Sequence, residues 1–178
     1  MSEPRPVNSV KLLMSTIFAG GDLLKSVFEV LTEHYGSIDF IGAQIPFHYT
    51  DYYTEEMGSP LARRFILFDE LIRPESLPDI KLLTNDVENR FSVHGKRAIN
   101  IDPGYISQAH LILATCKGFT HRPYLRNGVY ADLTLMYREK SFHSLPWTYP
   151  DYSEKPVIEM FNRIRSKYIM QLKHKDHH

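Results

Sequence analysis

The sequence predicts an α+β domain, and three observations carry that prediction. Short apolar runs rich in β-branched residues end at Gly or Pro, as strands do. Between them lie segments whose apolar residues recur at helical spacing. The first six elements follow the order β-α-β-β-α-β, that of a ferredoxin-like split βαβ unit, and additional strands and a C-terminal helix come after it.

Residues 10–18, "VKLLMSTIF", form a short apolar run that stops at Gly20-Gly21, which predicts a buried strand. Asp22 stands where a helix N-cap belongs. Leu23, Leu24, Val27, Phe28 and Leu31 follow at helical spacing, and Gly36 closes the helix. Residues 38–47, "IDFIGAQIPF", read as a second strand, and residues 63–72, "RRFILFDELI", as a third. Ser76 is placed to cap a second helix with Pro78 in its first turn. Ile80, Leu83, Val87 and Phe91 share one face of it, and His94-Gly95 ends it. Residues 97–102, "RAINID", alternate, with Ile99 and Ile101 pointing one way.

"HLILATC" and "GVYADLTLMYR" read as two further strands. In the second, Val129, Ala131, Leu133, Leu135 and Tyr137 share a face. Tyr130, Asp132, Thr134, Met136 and Arg138 share the other, which turns toward water or a site. Residues 138–152 read as a proline-bearing loop. Pro156 starts the last helix, with Val157, Phe161, Ile164, Tyr168 and Leu172 along one side.

The bulk numbers narrow the function. A chain of 178 residues suits one domain spanning 1–178, with residues 1–9 and 173–178 as flexible tails. A 43% hydrophobic and 24% charged composition is ordinarily globular. The 21 basic and 21 acidic side chains cancel, so nucleic acid is not favoured as a partner. Cys116, the single cysteine, lies in the apolar run "LILATCKG" and reads as a buried inert thiol; it has no internal disulfide partner, which fits a reducing compartment. The N-terminus has no apolar signal core, and no run approaches the ~20 apolar residues of a membrane span. These features predict a cytoplasmic protein with no membrane partner.

No P-loop, no G-x-G-x-x-G after a strand, and no H-E-x-x-H, C-x-x-C or G-x-S-x-G occurs. What remains is a set of polar residues at expected strand ends. Asp102 precedes Pro103-Gly104, a dipeptide that turns readily. It is either part of that turn or a carboxylate offered as general base or metal ligand. Lys117, His121 and Arg122 fall within six residues: Arg and Lys suit an anion, and His titrates near neutrality. Tyr-x-Asp-Tyr appears twice, at 49–52 and 149–152. Cap and turn chemistry accounts for the second copy, because a helix follows. The first copy, with Glu55 and Glu56 after it, lacks an equal structural reason and is the better site candidate. Trp147 reads as a core anchor. Carboxylates and imidazoles among His48, Asp51, Glu56, Asp102, His110 and His121 suit a divalent ion, but no spacing is diagnostic. The C-terminal histidines are set aside from metal reasoning.

These residues give two expectations. The first is a small enzyme or ligand-binding domain for an anionic, nucleotide-like metabolite. Asp102 and His121 would handle protons. Asp51, Tyr52, Glu56, Tyr105, Lys117, Arg122 and Tyr130 would line the pocket, with no metal or cofactor specified. The second is a non-enzymatic homo-oligomer whose exposed tyrosines and Trp147 form the interface.

The stretches "PFHYTDYYTEEMG", "IKLLTNDVE", "INIDPGYI", "LILATCKGFTHRPYL", "GVYADLTLMY" and "LPWTYPDY" resemble the DUF4416 family of uncharacterised prokaryotic proteins, from about residue 10 to residue 172. The family pattern often has Asp where this sequence has His48, so His48 is not carried over as a site residue. Some members bear the label "GTP-binding protein", whereas this sequence has no P-loop.

Overall fold

The computed structural model of the protein describes residues 3–175. Its nine strands are β1 (Val10–Phe18), β2 (Ile38–Ile41), β3 (Ile45–Phe47), β4 (Leu61–Ile72), β5 (Ile99–Ile106), β6 (His110–Thr115), β7 (Tyr124–Arg126), β8 (Val129–Arg138) and β9 (Ser141–Ser144). The helices are α1 (Leu24–Tyr35), α2 (Thr54–Met57), α3 (Leu77–Arg90) and α4 (Lys155–Lys175). The strands form one sheet in the order β2-β4-β1-β5-β6-β8-β7, with β3 also on β4 and β9 also on β8. Every pairing is antiparallel.

Strand β1 is buried along its whole length, so both of its faces carry a core. Leu12, Met14 and Phe18 face α1 and α3, where they meet Val27, Leu31, Ile80 and Val87. Leu13 faces α4 with Phe65 and Leu67, against Phe161, Ile164 and Tyr168. Period-2 alternation in β1 and period-3.6 spacing in the helices thus sort one chain into three layers.

Several sequence expectations are corrected. Residues 38–47 are two strands, not one. The chain bends at Gly42, whose N–H donates to Phe65 O at 2.8 Å. A Cβ on Gly42 would lie 3.3 Å from that oxygen. Asp22 does not cap α1, and no side chain does; Leu23 holds the N-cap position. Ser76 precedes α3, but its hydroxyl donates to Arg73 O at 2.6 Å and closes the turn before the helix instead. Residues 138–152 are not one loop. They contain β9, entered through Glu139 and Lys140 at positive φ, and a 3₁₀ turn at Pro150–Ser153. Strand β7 was not expected; it pairs with β8 across Asn127-Gly128, both at positive φ. In β8 a register shift opposite Leu111 and Ile112 breaks the alternation. Asp132 and Thr134 are buried, and Asp132 faces the cleft, the site side of the expected polar face, rather than water. The expected tail from residue 173 lies in α4 as far as Lys175, while residues 1–2 and 176–178 are outside the described residues.

The correction with most consequence is at Asp102-Pro103-Gly104. These residues do not turn; β5 runs straight through them. Antiparallel alternation sends the backbone polar groups of Ile101, Pro103 and Tyr105 away from β1, toward β6. On β6, Ala114 faces back toward β5: its β8 neighbour Ala131 donates its N–H the other way, to Pro123 O at 2.9 Å. Pro103 has no N–H to give to the Ala114 carbonyl. The β5–β6 ladder accordingly stops at Gly104↔Leu113, after only three pairs. Gly104 is required at this last rung, because a Cβ there would collide with the Ile112 carbonyl oxygen.

Gly104→Ala forces β5 and β6 apart at their only ladder. We expect a loss of about 1–3 kcal/mol, the range for overpacking a close contact, read as a lower urea midpoint with an unchanged m-value. A midpoint equal to that of the parent protein would contradict the close approach.

Candidate functional site

Where the ladder stops, β5 and β6 separate, and a cleft of about 470 Å³ opens between them. Asn100 and Asp102 of β5 form one wall, and Ala114 and Thr115 of β6, with Cys116 just beyond it, form the other. Lys81, Asn85 and Glu88 of α3 close the bottom. The loops at 47–53 and 149–152 cover the top.

The closure by α3 follows from unmet backbone groups. Ile101 points its N–H and C=O at the strand that has left. Glu88 Oε1 accepts the N–H at 2.5 Å, and Lys81 Nζ donates to the C=O at 3.0 Å. Two side chains seven residues apart on one helix face thus stand in for a β-partner. Lys81 also lies 3.3 Å from Asp102 Oδ1, and Asn100 Nδ2 donates to Asp102 Oδ2 at 2.8 Å. Burial pushes the Glu88 carboxyl above its ordinary range; Lys81, the Ile101 amide and Arg97 oppose the shift.

Three further charged clusters hold the cover. Arg97 grips Glu56 with Nε at 2.9 Å and Nη2 at 2.7 Å, and also reaches Glu88 at 3.3 Å and Asn100 at 3.1 Å. This ties α2 to β5 and α3, and Arg97 holds the Glu56 carboxyl below its usual range. Arg63 Nε comes within 2.6 Å of Asp151 Oδ2, with both side chains buried. The approach lies off the N–H direction, so neither atom has a directional hydrogen bond. Arg63 also bonds Ser15 Oγ and sits 4.9 Å from the centre of the Phe47 ring. Burial raises the Asp151 carboxyl, and the Arg63 charge opposes that. Asp132 collects Arg122 Nε at 2.8 Å, His121 Nε2 at 3.4 Å and the Thr134 hydroxyl at 3.2 Å. His121 in turn stacks on Trp147, with ring centres 4.9 Å apart; Trp147 is 39% exposed and not the core anchor expected.

The mouth is different. Lys117 Nζ lies 3.1 Å from the Tyr52 hydroxyl and 4.2 Å from its ring centre, and it lowers the Tyr52 pKa. Among the described residues no carboxylate lies within ion-pair distance of Lys117.

Of the residues the sequence singles out, Asp102, Tyr52 and Lys117 line the cleft. His121 and Arg122 stand behind the wall on Asp132, which itself lines it. Glu56 is engaged by Arg97. Asp51 is exposed and outside the lining; its carbonyl accepts the Thr54 N–H at 3.0 Å. Tyr105 packs with Leu77 and Ala114 on the α3 face. Tyr130 packs edge-on to Tyr124. Both Tyr-x-Asp-Tyr loops border the cleft, joined by a bond from the Tyr49 hydroxyl to Glu154. Arg63, Lys81, Glu88, Arg97 and Asn100 also line the cleft, and no sequence motif marks them. Their signal was present as charges inside apolar periodic segments: Arg63 in "RRFILF", and Lys81 and Glu88 on the buried side of α3. No group of three or more His, Cys, Asp or Glu among the described residues is placed to hold a metal ion. Among those residues, no helix is long and apolar enough to cross a membrane.

A family model described as "Domain of unknown function (DUF4416)" matches residues 8–168. No curated protein and no solved structure matches the chain.

The raised Glu88 carboxyl has a signed consequence. The folded state holds that proton at pH values where the unfolded chain, with its ordinary value near 4.5, has released it. This contribution to stability is full below about 4.5 and is lost as pH rises through the folded value. Glu88→Gln should therefore flatten the fall in stability as pH rises above 4.5, measured by urea denaturation across that range. An unchanged slope would remove the proton from Glu88.

Proposed function

The chain belongs to the DUF4416 family, and we propose that its cleft binds a small anionic metabolite of about nucleotide size. The observation that carries this reading is the pairing of charges around the cleft. Glu88, Asp102, Asp132 and Asp151 each already face a cation. Lys117, at the mouth, faces only Tyr52. An incoming anion meets one cation that gives up no ion pair to receive it. A cavity of about 470 Å³ with tyrosines on its cover suits a ligand of that size.

In this reading Lys117 anchors the anion, and Tyr52 moves with it as part of the cover. Asp102, whose side chain is 30% exposed, is the carboxylate able to exchange a proton with the ligand. His121 and Arg122 act through Asp132, as positioning residues. We read β1, α1, β2, β4, α3 and β5 as the ferredoxin-like unit; the order β2-β4-β1-β5 supports it. The exposed thiol of Cys116 fits a reducing compartment.

A second reading, self-association, is favoured by one surface. Phe119 and Tyr124 are 66% and 60% exposed beside β7, a strand at the edge of the sheet. Sedimentation of a strict monomer at high concentration would remove it.

For the first reading, thermal shift against nucleoside monophosphates, sugar phosphates and di-carboxylates should find a stabilising anion. Lys117→Ala should weaken that anion about tenfold, the loss of one charge-assisted contact, with an unchanged melting temperature for the free protein. If Lys117→Ala binds the same anion equally well, the assignment is wrong.

A further inference from the structure

The wall opposite Asp102 has an open strand edge. Antiparallel alternation points the backbone groups of Ala114 and Cys116 into the gap left by β5. The Ala114 N–H can still reach the Pro103 carbonyl at the last rung. The Ala114 carbonyl cannot be served in return, since Pro103 has no N–H. Two residues on, the Cys116 N–H has no acceptor among the described residues. The facing edge of β5 offers nothing either, because Glu88 and Lys81 occupy the N–H and C=O of Ile101. One wall of the cleft is thus satisfied from within the protein, and the other is not.

We propose that the Ala114 carbonyl and the Cys116 N–H together recognise a planar amide edge on the ligand, an N–H beside a C=O as in a lactam or a primary carboxamide. An acceptor and a donor two residues apart on one strand edge present the complement of such a group. Ala114 is 1% exposed, so its carbonyl lies where a lost partner costs most. A ligand edge that fills both positions does for β6 what Lys81 and Glu88 do for β5. The occupant is a small molecule rather than an added strand, since two loops roof the gap and the cavity holds only about 470 Å³. The inference rests on the ligand-binding reading of the cleft and adds the chemistry of the ligand's second end. The anion lies at Lys117, and the amide edge lies next to it in sequence, on Cys116 and Ala114.

The test uses the full chain, labelled with ¹⁵N, and two probes: 2-pyridone-5-carboxylate and its N-methyl derivative. Both carry the anion; only the first carries the lactam N–H. The free protein should show fast amide exchange at Cys116. The parent probe should shift the Cys116 resonance and slow its exchange. The N-methyl probe should bind about tenfold more weakly, the loss of one hydrogen bond to a buried acceptor. Equal binding of the two probes, no response at Cys116 to the parent, or slow exchange at Cys116 in the free protein overturns the inference. Lys117→Ala separates this from the anion reading. If that variant binds the parent probe undiminished while Cys116 still responds, the anion assignment fails and the amide edge stands. If the two probes bind alike but both need Lys117, the reverse holds.

Discussion

The structure depends on one missing hydrogen-bond donor. Pro103 lies in the middle of a strand, where proline is normally excluded because it cannot complete a ladder. Here that failure is the feature. It ends the pairing of β5 with β6 after three residue pairs and divides the sheet into two leaves. One leaf holds β2, β3, β4, β1 and β5, and the other holds β6, β8, β7 and β9. Gly104 brings the leaves into contact on one side of the break, and the cleft opens on the other. A donor at position 103 would give the Ala114 carbonyl its missing partner and let the ladder gain a further pair.

Opening a sheet strands backbone groups, and the way they are served decides what surrounds the gap. Ile101 takes a carboxylate and an ammonium from α3, which obliges the helix to bury Lys81 and Glu88 on its inner face. Buried charges need partners. Lys81 therefore draws in Asp102, and Glu88 draws in Arg97, which reaches on to Glu56 and so to α2. The cover of the cleft is thus connected to the break by a chain of ion pairs. The Arg63–Asp151 pair does the same for the second loop. A buried pair of this kind adds little net stability, but removing one partner leaves an expensive orphan. Its effect is to fix both loops in register over the opening.

Much of the fold was legible because it follows from periodicity. The buried run of β1, the apolar faces of α1 and α4 and the α+β character come from patterns that packing enforces. Local chemistry was read less well where two rules competed. Asp-Pro-Gly favours a turn in isolation, yet in β5 the pairing of Ile99–Ile106 with β1 overrides it. Asn127-Gly128 is a hairpin signal, but the strand before it is three exposed residues with no periodicity to mark it. In the site, Asp102, Tyr52 and Lys117 were visible as polar residues near strand ends. Lys81 and Glu88 were hidden because their partner is a backbone group, and sequence patterns do not show which peptide has lost its neighbour.

The two copies of Tyr-x-Asp-Tyr show how the same local spelling takes different meanings from its surroundings. In the second copy Asp151 is buried beside Arg63, so the motif is locked into the wall of the cleft. In the first, Asp51 is in solvent, and its loop is tethered instead by Tyr49, by Glu56 and, at the mouth, by Tyr52 on Lys117. One side of the cover is anchored in the core and the other by contacts nearer the surface. The least deeply anchored of these contacts is the one that includes the unpaired cation. In the ligand-binding reading, an anion that draws Lys117 inward pulls on its contact with Tyr52, so the first loop is the part of the cover that responds. The second loop is held instead by the buried Arg63–Asp151 pair.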